Sequence, residues 1–195
     1  MKTTLVTAPA LTPVDISYIK AHIVVEFDTD DFYIDMLIAS AIAQVENITN
    51  RKLITQTWKA YADEWPDDFF SIPFGALQSV TSVKYKDTDG VEATLAATEY
   101  IVDIASDPGR VVLGFNKTWP TTELYPSNPI TIQFVCGYGA NQNASVPAPI
   151  LNAIMLMVSD AYAHRESIVI GQTVESIPGY IMNLLWPYRL WDGYK

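Results

Sequence analysis

Apolar residues recur at helical spacing in two long stretches of the chain and at strand spacing between them. Around residues 31–51, Ile34, Ile38, Ala41, Val45 and Ile48 fall three or four apart, and Leu37 and Ile42 widen the stripe. That period predicts an amphipathic helix. Asp30 stands at its N-cap, and the polar, basic stretch 47–52 suits its C-terminus. Upstream, Thr12-Pro13-Val14-Asp15 predicts an earlier helix to about His22, with a hydroxyl cap, a proline in the first turn and an acid near the positive end. From Leu53 the period falls to two: Trp58, Ala60 and Ala62 alternate with Thr57, Lys59 and Tyr61, which is a strand pattern. Further extended runs lie at 71–74, 80–85, 91–95, 100–104, 110–115 and 130–136, making about six strands between Pro- and Gly-containing turns. Asp87-Thr88-Asp89-Gly90 is a hairpin signal, because Asp-Gly accepts positive φ.

Pro147 and Pro149 open a helix over about 149–166 that is apolar nearly all round. It carries Ile150, Leu151, Ile154, Met155, Leu156, Met157, Val158, Ala161 and Tyr162, against a polar stripe of Asn152, Ser159 and Asp160. Such a helix is buried on most sides. A loop at 167–176 follows, and Ile177-Pro178-Gly179 opens a last helix through about Leu185, closed by Trp186-Pro187-Tyr188-Arg189. The order predicts an α+β fold. Its mainly helical body has about four helices, from residues 1–52 and 141–195, with a β-rich insertion, 53–140, between the second and third long helices, one domain in all.

Composition sharpens this picture. The 195 residues are 49% hydrophobic and only 17% charged, against roughly 25% charged in ordinary domains. Either a large protein–protein interface or a large core under a Thr/Ser/Asn-rich skin leaves that record. The net charge of −10 argues against a protein that wraps nucleic acid through phosphate contacts, while an acidic wall would let a duplex slide past without sticking. Cys136 is the single cysteine, so it forms no disulfide within the chain and reads as a small buried hydrophobe. The N-terminus lacks the apolar run of a signal peptide and no segment approaches a membrane span, so the chain reads as intracellular at synthesis.

The candidate chemistry is sparse. Ser17 and Lys20 have the S-x-x-K spacing of a nucleophile and its base, without the SDN and KTG segments that complete such a site. Asp28, Asp30 and Asp31 faintly suggest a calcium loop, but Phe32 and Tyr33 stand where Asp or Asn and Gly belong; helix capping is the plainer account. His22 and His164 sit in no zinc motif. Gly137-Tyr138-Gly139 reads as a strand-end turn. Glu64, Asp67 and Asp68 beside Trp65 could supply a glycosidase pair, or form a solvated turn. Trp65 and Trp119 could offer a sugar-stacking platform, or anchor a core. No catalytic, cofactor-binding or metal-binding residue is assigned, and no cofactor is expected.

Taken in order, several segments resemble the tailed-bacteriophage head–tail connector (head-completion, or adaptor) family. They are Leu11-Thr-Pro-Val-Asp-Ile-Ser-Tyr-Ile-Lys20, the acids from Asp28 to Asp31, Leu37-Ile-Ala-Ser-Ala41, Glu46-Asn-Ile-Thr-Asn-Arg51 running into Leu53-Ile-Thr-Gln-Thr-Trp58, and Leu184-Leu185-Trp186-Pro187-Tyr188-Arg189. The stretch 80–128 is the part least like the family. The resemblance implies a non-enzymatic virion protein at the head–tail interface, made in the bacterial cytoplasm. It would form a closed ring of about a dozen subunits and continue the DNA channel from portal to tail. Its partners would be copies of itself, the portal and a tail-terminator or stopper protein; DNA would pass without specific binding, and no membrane would be involved. By the same analogy Trp186, Pro187, Tyr188, Arg189, Trp191 and Tyr194 would dock on the portal, and loops such as 167–176 would face the tail. Ile150, Ile154, Met155, Met157, Val158 and Tyr162 would form the subunit interface. The alternatives are a carbohydrate-binding module or glycosidase built on the aromatic-rich β region, and another neck or tail-terminator component, against which the helix-first order argues.

Overall fold

A computed structural model describes residues 1–165 and 178–191. Among these residues the chain forms four α-helices and eight strands in two antiparallel sheets, an α+β fold. In chain order they are β1 (Lys2–Thr7), α1 (Ile16–Ile23), α2 (Asp31–Thr49), β2 (Gln56–Ala62), β3 (Phe69–Ser71), β4 (Leu77–Lys86), β5 (Glu92–Leu95), β6 (Tyr100–Asp103), β7 (Arg110–Leu113), β8 (Ile130–Cys136), α3 (Ala148–Ala163) and α4 (Gly179–Leu185). The chain divides into two compact units: Met1–Ala10 with Thr55–Tyr138, and Leu11–Ile54 with Gly139–Lys195.

The first unit holds the strands, in the orders β1-β2-β8-β4-β5 and β3-β7-β6. Strand β8 shows the rule that builds it. Ile130, Ile132, Phe134 and Cys136 are buried while Thr131, Gln133 and Val135 are half-buried, the alternation that a one-sided sheet requires. Phe134 lies opposite Trp58 on β2 and Val80 on β4, and Ile132 opposite Ala60 and Val83. From the other sheet Phe70, Tyr100 and Val111 join the same core. Each large side chain fully buried there contributes about 1.5–3 kcal/mol. Asp87 closes the expected β4–β5 hairpin: its Oδ1 accepts from the backbone N–H of Asp89 and Val91, and Gly90 takes φ +79°.

Residues 1–10 belong with the strands, not with the helices that follow them. Strand β1 pairs with β2 from Lys2↔Tyr61 onward. As the sheet's edge it is largely exposed on both faces, so it lacks the apolar alternation that announces a half-buried strand.

The second unit holds the helices. Asp15, not Thr12, caps α1: Asp15 is extended and its Oδ1 accepts from Ser17 N–H at 2.8 Å. The Thr12 hydroxyl is spent upstream on the Val14 carbonyl. A carboxylate one turn later gains both the cap hydrogen bond and the helix dipole. Helix α2 ends at Asn50 in the left-handed region, φ +57°, as helix C-termini commonly do. Helix α3 packs against α1, α2 and α4. Its apolar girth therefore has a cause inside the chain, since three neighbouring helices surround it.

Candidate interaction surfaces

The charged residues Lys20, Asp28, Asp30 and Asp31, around the start of α2, are engaged in ion pairs. The Lys20 ammonium donates to Asp28 and Asp31, each at 2.7 Å, and these bonds raise its pKa, Asp28 contributing most. The Ser17 hydroxyl donates to Asp15 at 2.6 Å. Serine and lysine thus serve different partners, and the S-x-x-K spacing forms no nucleophile–base pair. Among the described residues no group of three or more His, Cys, Asp or Glu is placed to hold a metal.

Asp30 occupies the N-cap position of α2 but makes no side-chain cap. Its Oδ2 accepts instead from the Tyr162 hydroxyl at 2.6 Å and from the Arg165 guanidinium. The Tyr162 bond first, then Arg165, hold this carboxyl below the usual range. Arg165 also lies over the rings of Tyr33 and Tyr162, at 5.0 and 4.8 Å. The clasp ties the C-terminal end of α3 to the start of α2.

Within α3, Ile150, Ile154 and Val158 are fully buried in the chain itself, while Met155, Met157 and Tyr162 are half-buried. The first three belong to the chain's own buried core. Their spacing of four residues is that of the helix's inward stripe.

The C-terminal segment is pinned along its backbone and open in its side chains. Arg51 donates to the Tyr188 carbonyl, and Leu190 N–H donates to the Thr49 carbonyl at 2.9 Å, satisfying an otherwise orphan acceptor at the end of α2. On this pinned turn Trp186 and Trp191 remain 52% and 55% exposed. Their rings meet edge to face at 4.9 Å, and Arg189 lies within cation–π reach of both, at 5.9 and 4.7 Å. The tail therefore folds back on its own body and still presents two indoles and a guanidinium. Tyr194 and the loop 167–176 lie outside the described residues.

Trp65 and Trp119 stack on each other at 5.0 Å and 11°, with Phe70 edge-on to both and Tyr85 edge-on to Trp65. Both indole N–H groups are buried without a hydrogen-bond partner among the described residues. Rings that occupy one another's faces in this way form a core anchor, not a platform for sugar. Glu64, Asp67 and Asp68 are exposed around them.

A set of exposed apolar residues that sequence reasoning missed lies on the α1–α2 connection and the first turns of α2. Val24, Phe27, Phe32 and Met36 are 83%, 54%, 79% and 53% exposed. Phe32 and Met36 stand four apart, off the inward stripe of α2; that offset is the signal the sequence carries.

No curated protein matches the chain. Three solved structures resemble it over 99% of both chains. They are described as the neck of an empty gene transfer agent (GTA) particle computed with C6 symmetry (TM-score 0.76, 20% identity), the virion of a native GTA particle (0.76, 20%) and the neck of a native GTA particle computed with C12 symmetry (0.75, 22%). At such identities the likeness is one of fold. The sequence itself matches the model of the phage gp6-like head–tail connector proteins from residue 13, ahead of α1, to residue 108, beyond β6. Residues 13–108 are thus similar to the phage gp6-like head–tail connector proteins.

Proposed function

We propose that the chain is a structural, non-enzymatic virion protein: a subunit of an oligomeric ring in the neck that joins the portal to the tail and continues the DNA channel. The observation that carries this reading is the joint one of a connector-family sequence and a fold shared end to end with chains of GTA neck particles. A ring needs two unlike lateral faces on each subunit. The half-buried Met155, Met157 and Tyr162 on α3 are offered as part of one such face. The exposed cluster of Trp186, Arg189 and Trp191, with Pro187, Tyr188 and Tyr194, is assigned to the portal. Large aromatics and arginine are the residue types that dominate binding energy at protein interfaces. The tail-facing partner is a tail-terminator or stopper protein.

Negative-stain imaging of the purified protein, alone and mixed with its portal, tests this. Closed rings in either sample are the expected result. A chain that stays monomeric and fails to bind the portal would end the proposal. For the docking residues, Trp186→Ala with Trp191→Ala should weaken portal binding at least tenfold, with the fold intact by circular dichroism. Unchanged binding would remove the C-terminal segment from the portal contact.

A further inference from the structure

The five-stranded sheet turns one face to its core and the other outward, and the outward face is basic. Register aligns Thr4, Lys59, Gln133 and Ser82 in one row, and Lys2, Tyr61, Thr131 and Lys84 in the next. Lys86 follows on the same face of β4, opposite Glu92 on β5. Four of the chain's 12 lysines and arginines therefore share one face with a single acid in these rows. That is a local charge of four minus one, or +3, in a chain of net charge −10. Three of the lysines also converge on Glu92. Lys84 Nζ bonds Glu92 at 2.7 Å. The Glu92 carboxyl is held below its usual range, first by that bond, and the charges of Lys84, Lys86 and Lys59 add to the effect.

The composition of this face identifies the partner. Lysine is depleted at protein–protein interfaces, whose centres favour aromatics, methionine and arginine. Here the lysines stand among Thr, Ser, Gln and Tyr, the side chains that bond phosphate oxygens without reading bases. A lysine ammonium is a hydrated point charge with no rigid fork, so it attracts a phosphate without fixing its register. Sequence-level net charge averages over faces and hides such a patch.

We propose that the outer face of the five-stranded sheet contacts the phosphate backbone of double-stranded DNA, weakly and without sequence preference. The inference rests on the ring reading for its setting: the face would steady DNA during passage while the acidic remainder of the chain keeps it from sticking.

The test is binding of a random-sequence DNA duplex to the full-length protein across a salt series, by fluorescence anisotropy. Wild type should bind at low salt, with affinity falling as salt rises. Lys59→Gln with Lys86→Gln, which leaves the Lys84–Glu92 pair in place, should weaken binding at least tenfold at low salt. It should also reduce the log–log salt slope by about 2, one for each phosphate that the variant leaves unneutralised. Lys117→Gln, outside this face, should change neither. No binding by wild type, or binding by the double variant equal to wild type, overturns the proposal. So does a folded double variant that no longer forms rings where wild type does, since the face would then be a subunit contact. Should wild type form no rings, the ring reading fails alone, because duplex binding by the free subunit still decides this one.

Discussion

The carboxylate of Asp30, at the entrance to α2, accepts a hydrogen bond from the hydroxyl of Tyr162, 132 residues further along the chain, at 2.6 Å. This bond makes a testable pH signature. The folded pKa of Asp30 lies below its ordinary 3.8. The stabilisation is therefore complete above that value and is lost as pH falls through the lowered folded pKa. Asp30→Asn should unfold at lower denaturant than wild type at neutral pH, and the gap between the two should narrow below pH 4. A gap constant from pH 7 to pH 3 would show that the charge of Asp30 contributes nothing. Tyr162→Phe should reproduce part of the neutral-pH loss.

Helix α3 separates inward from outward positions cleanly enough for one experiment to divide them. Ile154 is fully buried, so Ile154→Ala should cost about 2–5 kcal/mol in chemical denaturation of the subunit. Met157 is half-buried, and Met157→Gln should cost the subunit under about 1 kcal/mol while lowering ring yield. Should Met157→Gln rings form as wild type does, Met157 is not a lateral contact.

The distinction between those two residues is invisible in the sequence, and the reason is physical. A helix surrounded by three others carries apolar residues in nearly every direction. Its girth reads the same whether the cover comes from its own chain or a neighbour's. Strand β8 and helix α2 are legible because each buries one face only, which leaves a clean period of two or 3.6. Strand β1 is not, because an edge strand open on both sides has no face to encode. The cap of α1 falls three residues beyond its expected place because Thr12 and Asp15 are both good caps, and only the backbone decides between them. Of the candidate surface, the aromatic tail is readable from composition alone. The basic sheet face needs the register, since its lysines are scattered from position 2 to 86.

Gly109 is required by a neighbour rather than by its own backbone. A Cβ built there would lie 2.7 Å from Cβ and 2.4 Å from Cδ2 of Leu77, at the start of β4. Both atoms belong to the Leu77 side chain, but its Cβ is fixed to the backbone, so rotation of Leu77 moves Cδ2 and cannot relieve the clash with Cβ. Gly109→Ala should destabilise the subunit by about 1–3 kcal/mol, read from the urea midpoint. A variant within about 0.5 kcal/mol of wild type would show that the turn shifts freely.

Val24 holds a conformation that its side chain resists. It follows α1 with φ +57° and ψ 48°, and its N–H bonds the Lys20 carbonyl. The left-handed region suits glycine or asparagine, and a β-branched residue there is a steric outlier. Its side chain is 83% exposed, so burial within the described residues offers little compensation. Val24→Gly should therefore raise subunit stability by about 1 kcal/mol, seen as a higher urea midpoint at unchanged slope. A lower midpoint would mean that Val24 makes a stabilising contact within the subunit. If the stabilised variant assembles rings less well than wild type, the strain is retained for a neighbour, and the surface of Val24, Phe27, Phe32 and Met36 becomes the second lateral face that a closed ring requires.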